Sequence, residues 1–256
     1  TGRCFSQPRG PGCLFRKWDS MSEVLSVSGV SAGYGSLRVL HDISLSINRG
    51  ERVGLVGLNG HGKSTLFRTI TGLVDWQNGS ITLNGVQIGG KRTHGPGLKT
   101  HWIARQGVAL MPQGDAMFIG LTVRQHLDAG AFTRLAWSER HDRREKILEI
   151  FPPLRKLLNQ PVGKLSGGER RMVTLGRGLM GDVKLYLVDE PSLGLAPKIS
   201  RAVIDALMKV ELTEGAMVIA EQNLQLLEGC VDRLIGIHGG EIKGAADSLS
   251  LQSGMI

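Results

Sequence analysis

Two patterns of hydrophobic and polar residues alternate along the chain. Leu25, Val27 and Val30 alternate with serines, and residues 43–47 read Ile-Ser-Leu-Ser-Ile, a stricter alternation. A period of two predicts strands with one buried face. Residues 53–56 are instead apolar apart from one glycine, and they run into a glycine-rich turn and a helical pattern over about 63–71. We therefore expect antiparallel strands, followed by a buried strand, a loop and a helix.

Helical and strand-like segments alternate through the remainder of the chain. Short strands are predicted at 80–83 and 108–111, with a glycine-rich surface loop over 89–97 between them. The pattern is helical between 121 and 160, with a break at Pro152-Pro153. Beyond it we predict helices at 168–180, 198–210 and near Leu224, and strands at 185–188, 217–220 and near Leu234 and Ile242. Such alternation predicts a mainly parallel sheet covered by helices.

The length and composition fit one large globular domain. The chain has 256 residues, 41% of them hydrophobic and 21% charged, which is enough to bury a full core. Residues 1–20 have no apolar core segment, contain Gly10-Pro11-Gly12 and end before Met21. We expect them to be a disordered or non-native extension. The domain would then span 21–256, with a helical subdomain over about 121–165.

The net charge of +8 does not by itself identify a partner. No run of positive charge is long enough to favour DNA, and aromatic residues are only 5% of the chain, so we expect a solvated basic face and no nucleic-acid partner. Cys4, Cys13 and Cys230 lack metal-binding spacing, which favours a reduced cytosolic setting. No apolar run could span a bilayer. Any membrane role is therefore expected to pass through a partner.

A phosphate-binding loop is predicted directly after the strand at 53–56. Residues 57–65 fit the pattern G-x-x-x-x-G-K-[ST] between a strand and a helix. The candidate nucleotide-binding residues are Gly57, Asn59, Gly60, His61, Gly62, Lys63, Ser64 and Thr65. The glycines allow backbone amides to surround phosphate oxygens, Lys63 can neutralise phosphate charge, and the Ser64 hydroxyl is a candidate Mg²⁺ ligand. The His61 side chain is interpreted as filling a variable position.

Two carboxylates follow the apolar residues 185–188. Asp189 and Glu190 would lie at the carboxyl end of a buried strand, where ligands of parallel sheets bind. Asp189 is a candidate ligand of Mg²⁺, directly or through water. Glu190 points elsewhere and is the candidate base that orients and deprotonates an attacking water. The alternative, a pair that only caps the next element, is disfavoured by the phosphate loop.

A second anion-binding element is predicted at 165–169. Ser166, Gly167 and Gly168 open a helix, so that backbone N–H groups and the positive end of the helix dipole face outward. A single nucleotide site does not need two phosphate loops. We therefore expect a site that another copy of the protein completes.

Together these motifs resemble the nucleotide-binding subunits of ABC transporters, over about residues 23–246. The phosphate loop, the Leu-Ser-Gly-Gly-Glu signature and the strand ending in Asp189-Glu190 occur in that family's order, with a helical insertion before the signature. The resemblance implies an α/β P-loop NTPase with a mainly parallel core sheet, an antiparallel β-subdomain and a helical insertion. It implies the cofactors ATP and Mg²⁺, a homodimer or heterodimer of ATPase subunits that sandwiches ATP, transmembrane permease subunits and, indirectly, a substrate-binding protein. It also implies a location at the inner face of the cell membrane.

Two further site residues follow from the resemblance. Gln113 matches the family's glutamine that contacts Mg²⁺ or the attacking water, although a lone glutamine after a strand is usually an ordinary loop residue. Tyr34 matches the aromatic that stacks on adenine; the alternative is a tyrosine that packs at the end of its strand. Residues 192–195 match the loop that crosses the dimer interface.

Gln222 departs from the family pattern, which usually has histidine after the strand at 217–220. An amide can donate a hydrogen bond to the γ-phosphate but cannot carry a proton or positive charge, so hydrolysis could be slower or depend more on Glu190. His238 is interpreted as a turn residue and not as a replacement. Residues 189–197 together with 221–223 resemble ATPases of branched-chain amino acid or urea and short-chain amide importers.

Two other functions remain open at this point. One is a non-transport ABC protein acting on nucleic acid or ribosomes, although such proteins usually carry paired ATPase domains or long coiled coils. The other is an ATP-binding subunit that hydrolyses ATP poorly. Gln222 is the only argument for this function, and the presence of Glu190 argues against it.

Overall fold

The computed structural model describes residues 23–90, 100–114 and 117–244. The predicted extension over 1–20 lies outside the described residues. The first two residues of the predicted surface loop over 89–97, Gly89 and Gly90, belong to a strand. The remainder of that loop lies outside the described residues.

Four strands form an antiparallel sheet in the order β2-β1-β4-β5. They are β1 (Glu23–Tyr34), β2 (Leu37–Asn48), β4 (Trp76–Leu83) and β5 (Val86–Gly90). Val27 pairs with Leu45 and Val30 with Ile43, and all but the half-buried Leu45 are buried. The alternation predicted from the sequence thus places one face of this sheet in the core.

The second sheet has six strands in the order β10-β9-β3-β8-β7-β6. They are β3 (Arg52–Val56), β6 (Val108–Met111), β7 (Leu185–Asp189), β8 (Ala216–Glu221), β9 (Arg233–His238) and β10 (Glu241–Lys243). All neighbours are parallel except the β9–β10 pair. The predicted mainly parallel sheet with antiparallel strands beside it is confirmed. The carboxyl ends of β3, β7 and β8 lie side by side, and Asp189 ends β7 with Glu190 directly after it.

Seven α-helices lie in the described ranges. They are α1 (Lys63–Ile70), α2 (Thr100–Arg105), α3 (Val123–Gly130), α4 (Arg134–Ser138), α5 (Arg140–Ile150), α6 (Gly167–Leu179) and α7 (Pro197–Met208). Short 3₁₀ helices span Pro152–Leu157, Val162–Lys164 and Leu224–Leu226. No helix of the described residues is long and apolar enough to cross a membrane.

The helix expected near Leu224 is a single 3₁₀ turn. Asn223 accepts a hydrogen bond from the Gln225 N–H at 3.1 Å, and Gly229 adopts a left-handed φ of 70° soon afterwards. The segment between these two residues is too short for a stable α-helix.

Two hydrophobic clusters support the site from opposite sides. One joins the antiparallel sheet to α1 through residues such as Phe67, and the other joins α6 and α7 to the helices that precede the signature through residues such as Phe151. The two sheets are also connected directly, because the His41 N–H donates to the Gly240 carbonyl at 2.8 Å. A Cβ on Gly240 would lie 1.9 Å from the Val39 carbonyl oxygen, so this close approach requires glycine.

Candidate active site

The phosphate loop joins β3 to α1. Gly62 caps α1 with a left-handed φ of 103°, and no side chain caps the helix. A Cβ on Gly57 would lie 2.3 Å from the Ile237 carbonyl oxygen, so the loop can follow this path only with glycine there. The open start of α1 and the positive end of its dipole fit an anionic ligand such as a nucleotide phosphate.

Lys63 is the buried cation of this loop, with 3% of its side chain exposed. Its ammonium donates to the Gly57 carbonyl at 2.7 Å and to the Leu58 carbonyl at 3.1 Å, and it pairs with Glu190 Oε1 at 3.0 Å. A buried lysine must be paired to stay charged. The three contacts hold the ammonium between the loop and the carboxylate that follows β7.

Asp189 ends β7 and is buried. Burial raises the pKa of Asp189, a hydrogen bond from Ser64 opposes that shift, and the neighbouring Glu190 adds to it. Its Oδ1 atom is buried without a hydrogen-bond partner among the described residues. A carboxylate oxygen without a partner next to a serine hydroxyl fits the oxygen donors that Mg²⁺ prefers.

Glu190 adopts a left-handed backbone with φ of 44°. Its N–H donates to the Ala220 carbonyl at 2.9 Å, and its Oε2 accepts a hydrogen bond from Gln113 Nε2 at 3.0 Å. One carboxylate therefore contacts both Lys63 and Gln113. The structure brings together these three side chains, which are far apart in the sequence.

Arg171, in the first turns of α6, binds the backbone on both sides of Glu190. Its guanidinium donates to the carbonyls of Asp189, Glu190 and Pro191 at 2.8, 2.9 and 3.1 Å. It also donates to the carbonyls of Pro112 and Gly114 at 2.8 and 3.0 Å, on either side of Gln113. This side chain ties the helix after the signature to both the Gln113 loop and the end of β7.

The end of β8 contributes Glu221 and Gln222. Glu221 is buried and accepts hydrogen bonds from the Ser192 N–H at 3.0 Å and from the Ser192 hydroxyl at 2.9 Å. Its own carbonyl accepts the Gly57 N–H at 3.4 Å. Gln222, the next residue, is exposed, so its amide is available to a ligand.

His61 contacts the side chain of His238, a pairing that was not predicted from the sequence. Its ring packs edge-on against His238 with the centroids 4.4 Å apart, and the Gly240 N–H donates to its carbonyl at 3.1 Å. Burial lowers the pKa of His61, and the nearby His238 lowers it further. His238 is the last residue of β9 and so precedes the turn in which it was expected.

Tyr34 lies at the end of β1, beside the turn to β2. It is 45% exposed, and its hydroxyl accepts a hydrogen bond from Arg68 of α1 at 3.2 Å. The ring is therefore not packed into the core, which leaves a face open for stacking.

The signature residues form the start of α6. Ser166 accepts the Glu169 N–H and donates through its backbone N–H and hydroxyl to Glu169 Oε2, each at 2.8 Å, which makes a capping box. No atom lies within 4 Å of a Cβ built on Gly167, whereas a Cβ on Gly168 would meet the Ile199 side chain at 2.9 Å. Among the hydrogen bonds of the described residues, none links Ser166, Gly167 or Gly168 to residues 57–65.

Arg171 and Glu221 were not identified from the sequence. A usable signal existed for each, because Arg171 shares a helical face with Leu175 and Leu179, and Glu221 ends an apolar strand. A charged residue in such a position is buried only when it is paired.

Comparisons with known proteins agree with these motifs. A protein-family model described as ABC transporter matches residues 40–193. A high-affinity branched-chain amino acid transport ATP-binding protein, BraG of Pseudomonas aeruginosa, is 36% identical over 86% of this chain and 91% of that protein. A probable branched-chain amino acid transport ATP-binding protein, LivF of Archaeoglobus fulgidus, is 34% identical over 77% of this chain and 80% of that protein.

Solved structures match with similar coverage. The ATP-binding subunit of an ABC transporter superposes with a TM-score of 0.72 at 28% identity, covering 91% of this chain and 94% of that one. An ATP-binding cassette in its ADP conformation gives a TM-score of 0.75 at 24% identity, covering 91% and 96%, and supports the fold alone. The family model and the curated relatives together show that this chain belongs to the ABC transporter ATPases, the ATP-hydrolysing subunits of that family.

Proposed function

We propose that the chain binds and hydrolyses ATP to energise an ABC importer, with branched-chain amino acids as the cargo. The observation that carries the ATPase assignment is the convergence of Lys63, Gln113 and Glu190 beside the buried Asp189. The cargo is inferred from the names of the relatives BraG and LivF. Urea or short-chain amides are the alternative cargo. A Nod factor export ATP-binding protein at 32% identity shows that related ATPases also serve other substrates.

ATP and Mg²⁺ would bind at the carboxyl ends of the parallel strands. The backbone of residues 57–65 and the Lys63 ammonium would hold the phosphates, and Tyr34 would stack on the base. Ser64, Asp189 and Gln113 would hold Mg²⁺, which supplies charge neutralisation on the phosphate oxygens. Glu190 would accept the proton of the attacking water, and the Gln222 amide would donate a hydrogen bond to the γ-phosphate.

A second subunit would complete each site. Ser166, Gly167 and Gly168 make no hydrogen bond to the phosphate loop of their own chain, and the space beside Gly167 is open. These features support a head-to-tail dimer in which they bind the γ-phosphate held by the opposing subunit. Further partners would be permease subunits and, indirectly, a substrate-binding protein, which places the chain peripherally at the inner face of the cell membrane. The domain would span 21–256, with its helical subdomain over about 121–165.

Co-purification from membranes tests the importer assignment. The tagged chain is extracted in mild detergent, and the bound proteins are identified by mass spectrometry. We expect permease subunits, and uptake of labelled leucine that is lost in cells carrying Glu190→Gln. Uptake of urea or acetamide instead would favour the alternative cargo. Recovery of RNA or ribosomes would contradict the importer assignment.

Replacement of Gln222 by histidine is expected to keep or raise the rate of ATP hydrolysis. The residue is exposed beyond β8, so a ring fits there, and histidine can donate the same hydrogen bond while also carrying a proton. The measurement is kcat of phosphate release, with the same substitution at the exposed Gln225 as control. A large loss of kcat in Gln222→His alone would show that the amide has a specific task.

A further inference from the structure

Glu221 is a buried carboxylate beside the proposed active site to which neither the sequence motifs nor the proposed mechanism gives a role. It is 2% exposed and ends β8. Burial raises the pKa of Glu221, and the two hydrogen bonds from Ser192 oppose that shift, while the like charge of Glu190 adds to it. A buried carboxylate next to another carboxylate is unfavourable unless hydrogen bonds offset the cost of burying its charge.

The partner of Glu221 shows where those hydrogen bonds act. Ser192 lies two residues after Glu190, whose φ of 44° is in the left-handed region that a residue with a side chain rarely adopts. The turn is held before Glu190 by β7, and at Glu190 by the N–H bond to Ala220 and by Arg171. After Glu190 the Leu193 N–H donates to the Glu190 carbonyl at 3.2 Å, and Arg171 donates to the Pro191 carbonyl. The two bonds from Ser192 to Glu221 then tie the turn to the end of β8. Strained backbone persists only where the surroundings hold it in this way.

We propose that Glu221 is a positioning residue, which holds the left-handed turn through Ser192 and so directs the Glu190 carboxylate toward Lys63 and Gln113. The inference rests on the proposed function, because it assigns a task to Glu190. Its consequence is specific. Loss of the Glu221–Ser192 contact should change the chemical step, since Glu190 moves, and should leave ATP affinity, which the loop at 57–65 provides, almost unchanged.

Glu221→Ala and Glu221→Gln separate the hydrogen bonds of the Glu221 side chain from its negative charge. Alanine removes both bonds, and we expect kcat to fall by about 10–100-fold with the ATP dissociation constant within about threefold of the wild type. Glutamine can accept the Ser192 N–H and donate to the hydroxyl, so it should restore kcat to within about threefold. The full chain is used, with phosphate release for kcat and calorimetry in EDTA for ATP binding.

Ser192→Ala tests the same contact from the other side. It removes the hydroxyl bond and leaves the backbone one, so the loss should be smaller. In the double variant with Glu221→Ala, kcat should equal that of Glu221→Ala within about twofold, because both changes break one contact. If Glu221→Ala does not fold, the proposal is tested by Ser192→Ala alone. An unchanged kcat in Ser192→Ala overturns the proposal.

Glu51→Ala is the matched control. Glu51 is also buried and accepts hydrogen bonds from the Asn48 N–H and from Arg233, both at 2.8 Å, but it precedes β3 at the opposite end of the sheet. It should lower the melting temperature without a selective loss of kcat. The proposal is overturned if Glu221→Ala keeps kcat, if glutamine is as slow as alanine, or if Glu221→Ala and Glu51→Ala behave alike. If Glu190→Gln itself keeps full turnover, Glu190 is not the base, and the role that the proposed function gives it fails instead.

Discussion

Glu190→Gln is expected to lower ATP hydrolysis by about 10²–10⁴-fold while ATP remains bound. The amide has the size of the carboxylate and can still contact Gln113, but it cannot accept a proton from water. It also removes the ion pair that Lys63 makes with Glu190 at 3.0 Å. The Glu190 carboxylate then no longer competes with the ATP phosphates for the Lys63 ammonium. Phosphate release and ATP binding measure the two effects separately. Because hydrolysis opens the proposed dimer, size-exclusion chromatography with ATP should show the variant as a stable dimer.

The control for this variant is Glu228→Gln. Glu228 is exposed, and its side chain makes no hydrogen bond or ion pair within the described ranges. The substitution therefore makes the same chemical change away from the site, and its turnover should match the wild type. Undiminished turnover in Glu190→Gln would remove Glu190 from the role of the base.

Mixing two inactive variants, Lys63→Ala and Gly167→Asp, is expected to restore hydrolysis. Lys63→Ala removes the buried cation of the phosphate loop and should weaken ATP binding by about 100-fold or more, the order expected from losing a buried charge contact. Gly167→Asp adds a carboxylate that repels phosphate. In a mixed head-to-tail dimer, one site carries both changes and the other carries neither. Up to half of the molecules are mixed, so about a quarter of wild-type activity should return.

Gly167 suits this experiment because the fold can accept an aspartate at this position. No atom lies within 4 Å of the added Cβ, and an aspartate in the first turn of α6 favours the helix. Gly167→Asp should therefore melt close to the wild type. Absence of rescue, when the wild-type chain alone is active, would contradict a site shared between two copies. Activity of Gly167→Asp alone would show that the signature does not contact the nucleotide.

Local patterns predicted most of the framework. The alternation around Val27 and Ile43 and the apolar residues 53–56 and 185–188 each predict a strand without reference to the rest of the chain. The phosphate loop was equally readable, since residues 57–65 form one contiguous motif and Gly62 adopts a left-handed φ of 103° that favours glycine. These features depend on residues close together in the sequence.

Contacts between distant residues could not be predicted in the same way. β5 and α2 were not expected, because Val86–Gly90 and Thr100–Arg105 are short and have a weak pattern. The partners of Arg171 could not be predicted, because backbone carbonyls carry no sequence signal. The partner of Glu221 could not be predicted either, because Ser192 lies 29 residues before it. The edge-on contact of His61 with His238 likewise depends on how β9 lies beside β3.

The junction of the two sheets at Gly240 has a consequence for nucleotide binding. Tyr34 belongs to the antiparallel sheet, whereas the loop at 57–65 extends from the parallel one. In a nucleotide that stacks on Tyr34, the base would contact the antiparallel sheet and the phosphates would contact the loop that follows the parallel sheet. Tilting one sheet against the other would then alter the base-to-phosphate distance that the pocket accepts. A bound partner that tilts the sheets would thereby weaken stacking of the base on Tyr34 and leave the phosphate contacts of the loop in place.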